Sequence, residues 1–185
     1  HNEEAVLPEL HRRLLQSTAA TPGGVEILYV DDGSTDRTPA LLELACQRDP
    51  QAGFIRFSRN FGKEAAVSAG LAEARGQATV VIDGDLQDPP ELIPSMLDAW
   101  RAGADVVNMQ RRERAGESWL KRATAFAFYR VMNRLSEVPI PVDTGDFRLL
   151  SRRAVDAINE MPERNRMMKG LFAWIGFNQA TIEYD

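Results

Sequence analysis

The sequence predicts an α/β fold in which a mostly parallel central sheet carries helices on both faces. Three observations lead there. Between residues 25 and 110, four short apolar runs alternate with segments of helical spacing, and such alternation calls for right-handed crossovers between parallel strands. Two of those runs stop in acidic turns, "VDDGSTD" at 30–36 and "VVIDGDLQDPP" at 80–90. The chain has 185 residues, 44% of them hydrophobic and 26% charged, enough for one sizeable core and therefore for a single domain over 1–185.

Each element has its own signal. "EEAVLPELHRRLLQ" places apolar residues at helical spacing. "VEILYVDDGSTD" is a buried strand feeding a turn. Thr38 and Pro39 make an N-cap and first-turn pair for the helix "PALLELACQRD". "GFIRFS" is a second strand, "NFGKEAAVSAGLAEARG" a helix stopped by Gly76, and "ATVVIDGD" a third strand. The helix "ELIPSMLDAWRAG" and the strand "ADVVNMQ" follow. The second half is less regular: a long amphipathic helix in "SWLKRATAFAFYRVMNRLS", an irregular loop "VPIPVDTG", a strand "DFRLLS" and a helix "RRAVDAINEM". Last come a basic then aromatic helix, "RNRMMKGLFAWIGF", and a final strand, "NQATIEYD". The start, "HNEEAVLPEL", is abrupt and has no strand before it, so trimming at one or both ends is expected.

The charge is uneven. Of 22 Lys/Arg and 27 Asp/Glu, 14 and 9 lie between Arg101 and Lys169, leaving 8 and 18 elsewhere. An acidic N-terminal half suits a metal and a basic C-terminal half suits phosphates, although Arg-rich helix faces account equally well for the asymmetry. The single Cys46 falls in an apolar helical pattern and reads as a core residue, so a reducing compartment is favoured. His1 and His11 have no partner at ligand spacing and read as solvated. No run approaches the roughly 18 apolar residues of a membrane span and no signal peptide is visible, so the chain as given is expected to be soluble. No nucleic-acid partner is expected.

In doubly wound sheets ligands bind beyond the carboxyl ends of the strands. Asp31 and Asp32 end one strand; Asp83 and Asp85 follow another. Carboxylates at i and i+2 in a turn can share a hard cation, and Mg²⁺ takes one or two carboxylates beside substrate phosphates. Gly84 lets the turn close with no side chain in the way. Asp and Gly are also common in turns for purely local reasons. No G-x-x-x-x-G-K-[ST] occurs, and no G-x-G-x-x-G follows a strand, which excludes a P-loop and disfavours dinucleotide binding. An Asp-x-Asp phosphatase stays open, yet after Asp85 the chain offers Leu86, Gln87 and Asp88 where such an enzyme wants a hydroxyl. Transfer from a nucleotide-linked donor is the reading that remains.

Five motifs in order then carry a resemblance: "NEE" at 2–4, "VDDGSTD" at 30–36, "RNFGKEAA" at 59–66, "DGDLQDPP" at 83–90 and "GDFRLLSRRAV" at 145–155. Together they resemble the inverting family-2 glycosyltransferases with the Rossmann-like GT-A fold, most closely the polyprenyl-phosphate branch of bactoprenol glucosyltransferases and dolichol-phosphate mannose synthases. The resemblance implies that Glu3 and Asp31 contact the base and ribose of a nucleotide sugar, with Asp32 and Lys63 close by. It implies metal ligation, by Mg²⁺ or Mn²⁺, at Asp85 and Gln87, with Asp83 at the metal or the sugar. Arg111, Lys121, Arg122 and Arg148 would gather an acceptor phosphate, and Asp146 is the candidate base.

It further implies UDP-glucose as the favoured donor, with GDP-mannose as another candidate, and a polyprenyl (undecaprenyl) phosphate acceptor. The site of action would be a membrane surface, the cytoplasmic face of the bacterial inner membrane, and self-association into a homo-oligomer is suggested. The strand missing before "NEE" and the absent C-terminal membrane helices mark this as part of such a protein. A phosphate monoester, with its second pKa near 6, is already a nucleophile at neutral pH, so Asp146 would orient rather than deprotonate. Two readings stay beside this one: a saccharide hydroxyl as acceptor, which needs a strong base, and a non-catalytic nucleotide-sugar-binding module. The basic then aromatic stretch from Arg164 to Phe177 fits a membrane interface and core packing equally.

Overall fold

The computed structural model describes residues 1–112, 144–161 and 168–184. Its elements in chain order are α1 (Leu7–Thr18), β1 (Ile27–Asp31), α2 (Thr38–Arg48), β2 (Ala52–Arg56), α3 (Lys63–Glu73) and β3 (Ala78–Val81). A 3₁₀ turn at Pro90–Leu92 leads into α4 (Ile93–Arg101), followed by β4 (Val106–Arg111), β5 (Thr144–Ser151), α5 (Arg152–Glu160), α6 (Met168–Trp174) and β6 (Gln179–Tyr184). The helix expected in "SWLKRATAFAFYRVMNRLS", most of the "VPIPVDTG" loop, and Lys121, Arg122, Arg164 and Arg166 lie outside the described residues.

One strand departs from the parallel expectation. β1 and β2 pair in parallel, Ile27 opposite Ala52 through Asp31 opposite Arg56. A second sheet has the order β3-β5-β4-β6. Within it β4 and β6 are parallel, but β5 runs antiparallel between β3 and β4. β3 and β4 therefore point the same way without touching. The apolar pattern of "DFRLLS" identifies a strand and carries no information about its direction, which tertiary pairing decides.

Helices do cover both faces of this sheet, because the strand residues alternate between two cores. Val107, Met109, Phe147 and Leu149 pack with Leu10 and Leu14 of α1 and Ile93 and Met96 of α4. Val106 and Leu150 pack with Leu71 of α3, Val155 and Ile158 of α5, and Met168 and Phe172 of α6. A fully buried side chain of this size contributes about 1.5–3 kcal/mol, so these two layers fix where the strand ends stand.

The start of β4 is tied down electrostatically. Asp105, 4% exposed, accepts a hydrogen bond from the Ser151 hydroxyl at 2.9 Å and a two-pronged one from the Arg153 guanidinium. That guanidinium holds the Asp105 carboxyl below the usual carboxylate range against the opposing effect of burial. Ser151 also caps α5, its oxygen accepting from Ala154 N at 3.3 Å.

Several local expectations need correction. Thr38 is the first residue of α2 and not its cap; its N–H donates to Asp36 Oδ1 at 2.9 Å. The Thr38 hydroxyl instead accepts from Glu3 N at 2.9 Å. α3 ends at Glu73, ahead of Gly76. His11 is not solvated: its Nδ1 lies 2.8 Å from the Tyr29 hydroxyl and its Nε2 3.6 Å from Asp49. Cys46 is half-buried rather than in the core. Among the described residues no helix is long and apolar enough to cross a membrane.

Candidate active site

The direction of β5 builds the site. Val81, the last residue of β3, stands opposite Arg148 in an antiparallel register. Asp83 follows the end of β3 by two residues and Asp146 precedes Arg148 by two, so this antiparallel register carries both to the same rim. Like charges facing each other across strands repel, and here a cation lies between them: Lys63 Nζ is 2.6 Å from Asp83 Oδ2 and 2.5 Å from Asp146 Oδ2. Burial works to lower the Lys63 pKa, but hydrogen bonds to Asp146 and Asp83 outweigh it, and the net direction is upward. Lys63 is therefore charged throughout the physiological range. It opens α3, and a small pocket lined by Lys63, Glu64, Val67, Val81, Asp146 and Phe172 lies beside it.

The acidic turn after β3 is held in an unusual backbone conformation. Leu86 has φ +61°, a left-handed geometry that costs a non-glycine residue about 1–2 kcal/mol. Its side chain packs against the α1/α4 core, which anchors the strained residue. On either side Asp85 and Gln87 are tied by a hydrogen bond from Gln87 N to Asp85 Oδ1 at 3.0 Å. Asp88 completes the turn, accepting from the Tyr184 hydroxyl at 2.8 Å. Burial pushes the Asp88 carboxyl up, and the nearby charges of Asp83 and Asp85 push it further. A divalent ion bound there would relieve that crowding. The donor set of Asp83, Asp85 and Gln87, two carboxylates and an amide oxygen, fits a hard cation that completes its shell with phosphates. Among the described residues no three His, Cys, Asp or Glu side chains converge as a cage for metal.

The turn after β1 forms the other side of the site. Asp31 is 2% exposed. Its Oδ1 accepts from Ser34 N at 3.1 Å and from the Ser34 hydroxyl. Its Oδ2 has no hydrogen bond among the described residues and stands 3.7 Å from Arg56 Nε. An open cleft lined by Gly33, Ser34, Thr35, Asp36, Arg56 and Phe57 runs above it. Gly33 is required there: with φ +68°, a Cβ would sit 2.3 Å from the backbone carbon of Arg59. Asp32 is engaged by the backbone, its oxygens accepting from Phe61 N at 2.6 Å and Gly62 N at 2.9 Å. Asp32 thus braces the loop that delivers Lys63.

"NEE" is sewn onto the same turn. Asn2 N donates to Ser34 Oγ at 2.8 Å, Thr35 N to Asn2 Oδ1 at 3.0 Å and Arg37 N to Glu4 Oε2 at 2.9 Å. Glu3 reaches towards the second acidic turn, since a Cβ built at Gly84 would lie 3.9 Å from its Cγ.

The expected acceptor residues are split. Arg111 is exposed at the end of β4, on the same rim. Arg148, expected at the acceptor phosphate, is 2% exposed: its guanidinium lies 4.1 Å over the Phe172 ring and donates to the Gly145 carbonyl at 2.7 Å. Burial lowers its pKa to about 10, and it holds the start of β5 at Gly145, next to Asp146. Lys121 and Arg122 fall outside the described residues. Ser34, Asp88 and Tyr184 join the site without having been singled out; a serine three residues after an aspartate is a local-turn signal that could have pointed to Ser34.

Comparison with known proteins identifies the family and the fold. The family described as "Glycosyl transferase family 2" matches residues 1–158. A curated protein of Synechocystis sp., described as an uncharacterized glycosyltransferase, is 49% identical over 185 residues, covering 100% of this chain and 58% of the relative. The bactoprenol glucosyl transferase of Shigella phage SfV is 42% identical over 183 residues, 99% of this chain and 60% of its own length. The chain thus spans somewhat over half the length of these relatives. Among solved structures, a mannosyltransferase from Pyrobaculum calidifontis in complex with GDP-Man and Mn²⁺ superposes with a TM-score of 0.66 at 17% identity, over 99% of this chain and 52% of that one. A glucosyl-3-phosphoglycerate synthase from Mycobacterium tuberculosis, in complex with UDP, gives 0.58 at 20% identity, over 98% and 66%. The fold is GT-A.

Proposed function

The chain belongs to glycosyltransferase family 2, and on that premise we propose that it transfers a hexose, glucose favoured, from a nucleotide sugar to polyprenyl phosphate with inversion at the anomeric carbon. The observation that carries the reading is the meeting of Asp83, from the acidic turn, with Asp146, from the antiparallel strand, on one lysine. It joins a donor side to an acceptor side. The naming of 42%-identical relatives as bactoprenol glucosyl transferases supports the acceptor and the sugar, and UDP-glucose is therefore the favoured donor over GDP-mannose. The site of action is the cytoplasmic face of a bacterial membrane.

Asp83, Asp85 and Gln87 would hold Mg²⁺ or Mn²⁺. When bound, such an ion neutralises the charge that grows on a departing nucleoside diphosphate. The protein's own groups do the rest. The cleft between Gly33–Asp36 and Arg56–Phe57 receives the nucleoside, with Asp31 beneath it and Glu3 at its side. Asp146 orients the acceptor oxygen for attack from the face opposite the leaving group. An acceptor phosphate is already dianionic at neutral pH, so proton removal is not demanded of Asp146. Two anionic substrates repel each other, and Arg111 with Lys121 and Arg122 supplies the cations that bring them together.

The test uses the full-length protein. Mn²⁺ with UDP-glucose should raise the melting temperature more than GDP-mannose does, since a ligand that binds only the folded state stabilises it in proportion to the logarithm of its concentration over Kd. Labelled glucose should then appear on undecaprenyl phosphate in vesicles. Equal transfer in excess chelator, or transfer to a saccharide hydroxyl alone, overturns the reading.

A further inference from the structure

Lys63 holds Asp83 through its Oδ2, at 2.6 Å, and the reading above gives the same carboxylate to a divalent ion. An ammonium and a metal gathered on one carboxylate repel each other and share its single negative charge. We infer that Lys63 competes with the divalent ion for Asp83 and thereby sets how tightly the site takes up metal before donor binds. The inference rests on the proposed metal role of Asp83.

The geometry suits an exchange. Asp146 is the second partner of Lys63, at 2.5 Å, so an ammonium that gives up Asp83 keeps a counter-ion. One ion pair is traded rather than lost. The backbone of Lys63 is fixed, because the preceding amides of Phe61 and Gly62 hang on Asp32, while the side chain is 48% exposed and carries a flexible four-carbon stem. Asp83 is 35% exposed, and a pair so open to solvent is weak enough to be displaced. On this account metal entry moves Lys63 wholly onto Asp146, which ties the state of the donor side to the carboxylate that orients the acceptor.

Mn²⁺ binding to the full-length protein without nucleotide, followed by electron paramagnetic resonance, tests the competition. K63M should bind Mn²⁺ about two- to fivefold more tightly than wild type, the size of a lost exposed ion pair, and K63R should stay close to wild type. Transfer by K63M should fall at the same time, because Asp146 loses its tie. Tighter metal with slower turnover is a combination that a merely structural lysine does not produce. K63M affinity equal to or weaker than wild type overturns the inference and leaves the metal reading standing. Wild-type Mn²⁺ binding that is unchanged in D83N/D85N overturns the metal reading itself. Should K63M not fold, the side-chain ammonium resonance of Lys63 in wild type decides: it should shift on Mg²⁺ addition, and a signal that stays in place refutes the exchange.

Discussion

β4 and β5 carry charge at both ends, and the two ends are built differently. Where β4 starts, one buried carboxylate, Asp105, meets one guanidinium and one hydroxyl, from Arg153 and Ser151. At the opposite rim, two carboxylates, Asp83 and Asp146, share a single lysine, with Asp85 and Asp88 close behind. The first end is balanced and all its oxygens are engaged, which is the arrangement of a fastener. Among the described residues, the second gathers four carboxylates, Asp83, Asp85, Asp88 and Asp146, against the cations of Lys63, Arg148 and the exposed Arg111. Surplus charge that a fold does not neutralise internally marks a place where function supplies the missing counter-charge.

Substitutions should separate the two ends. The largest effect is expected for D83N/D85N: transfer in the presence of Mn²⁺ should drop by roughly a thousandfold or more, the scale of a lost electrostatic clamp on a leaving group. The far-ultraviolet circular dichroism should be unchanged. A double variant that keeps most of its transfer rate would erase the distinction. D146N comes next, with a loss of about tenfold if the acceptor is a phosphate and about 10²–10⁴-fold if it is a hydroxyl that needs a base; steady-state rates with each acceptor class tell these apart.

At the fastened end the readout is stability. R153A should lower Tm only slightly, because Arg153 is itself 67% exposed and solvent screens the pair, with transfer by the folded protein unchanged. The smallest effect is its pH dependence. Arg153 lowers the folded-state pKa of Asp105, so the stabilisation is fully present above the unfolded carboxylate value near 4 and is lost as pH falls through the lowered folded value. The Tm gap between wild type and R153A should therefore close on acidification below about pH 4; a gap that persists there would refute this assignment.

The sequence foretold the order of elements well, because buried strands and amphipathic helices are written in local spacing, as in "VEILYV" and "LHRRLLQ". It also marked both acidic turns. It could not reveal that β5 enters antiparallel, because strand direction depends on partners far along the chain, and the opposition of Asp83 and Asp146 follows from that direction alone. For the same reason Lys63 was placed with the nucleotide and not between two carboxylates. Arg148 was misjudged as open to an acceptor because a strand arginine between apolar neighbours, in "DFRLLS", does not disclose which face of the sheet it enters or what covers it. Asp32 and Asp31 are adjacent and chemically identical, yet one accepts from the amides of Phe61 and Gly62 and the other from Ser34; which backbone reaches each is decided by distant parts of the chain.

The antiparallel entry of β5 also bears on how the protein is born. When a ribosome has delivered the chain only as far as Arg111, β3 and β4 are both synthesised, but the strand that must lie between them, Thr144–Ser151, has not emerged. The β5-facing edge of β3 and both edges of β4, whose other partner β6 is also still to come, are then open to any neighbouring polypeptide, and stalled or prematurely released chains of that length should cling to chaperones and aggregate until the later strands arrive.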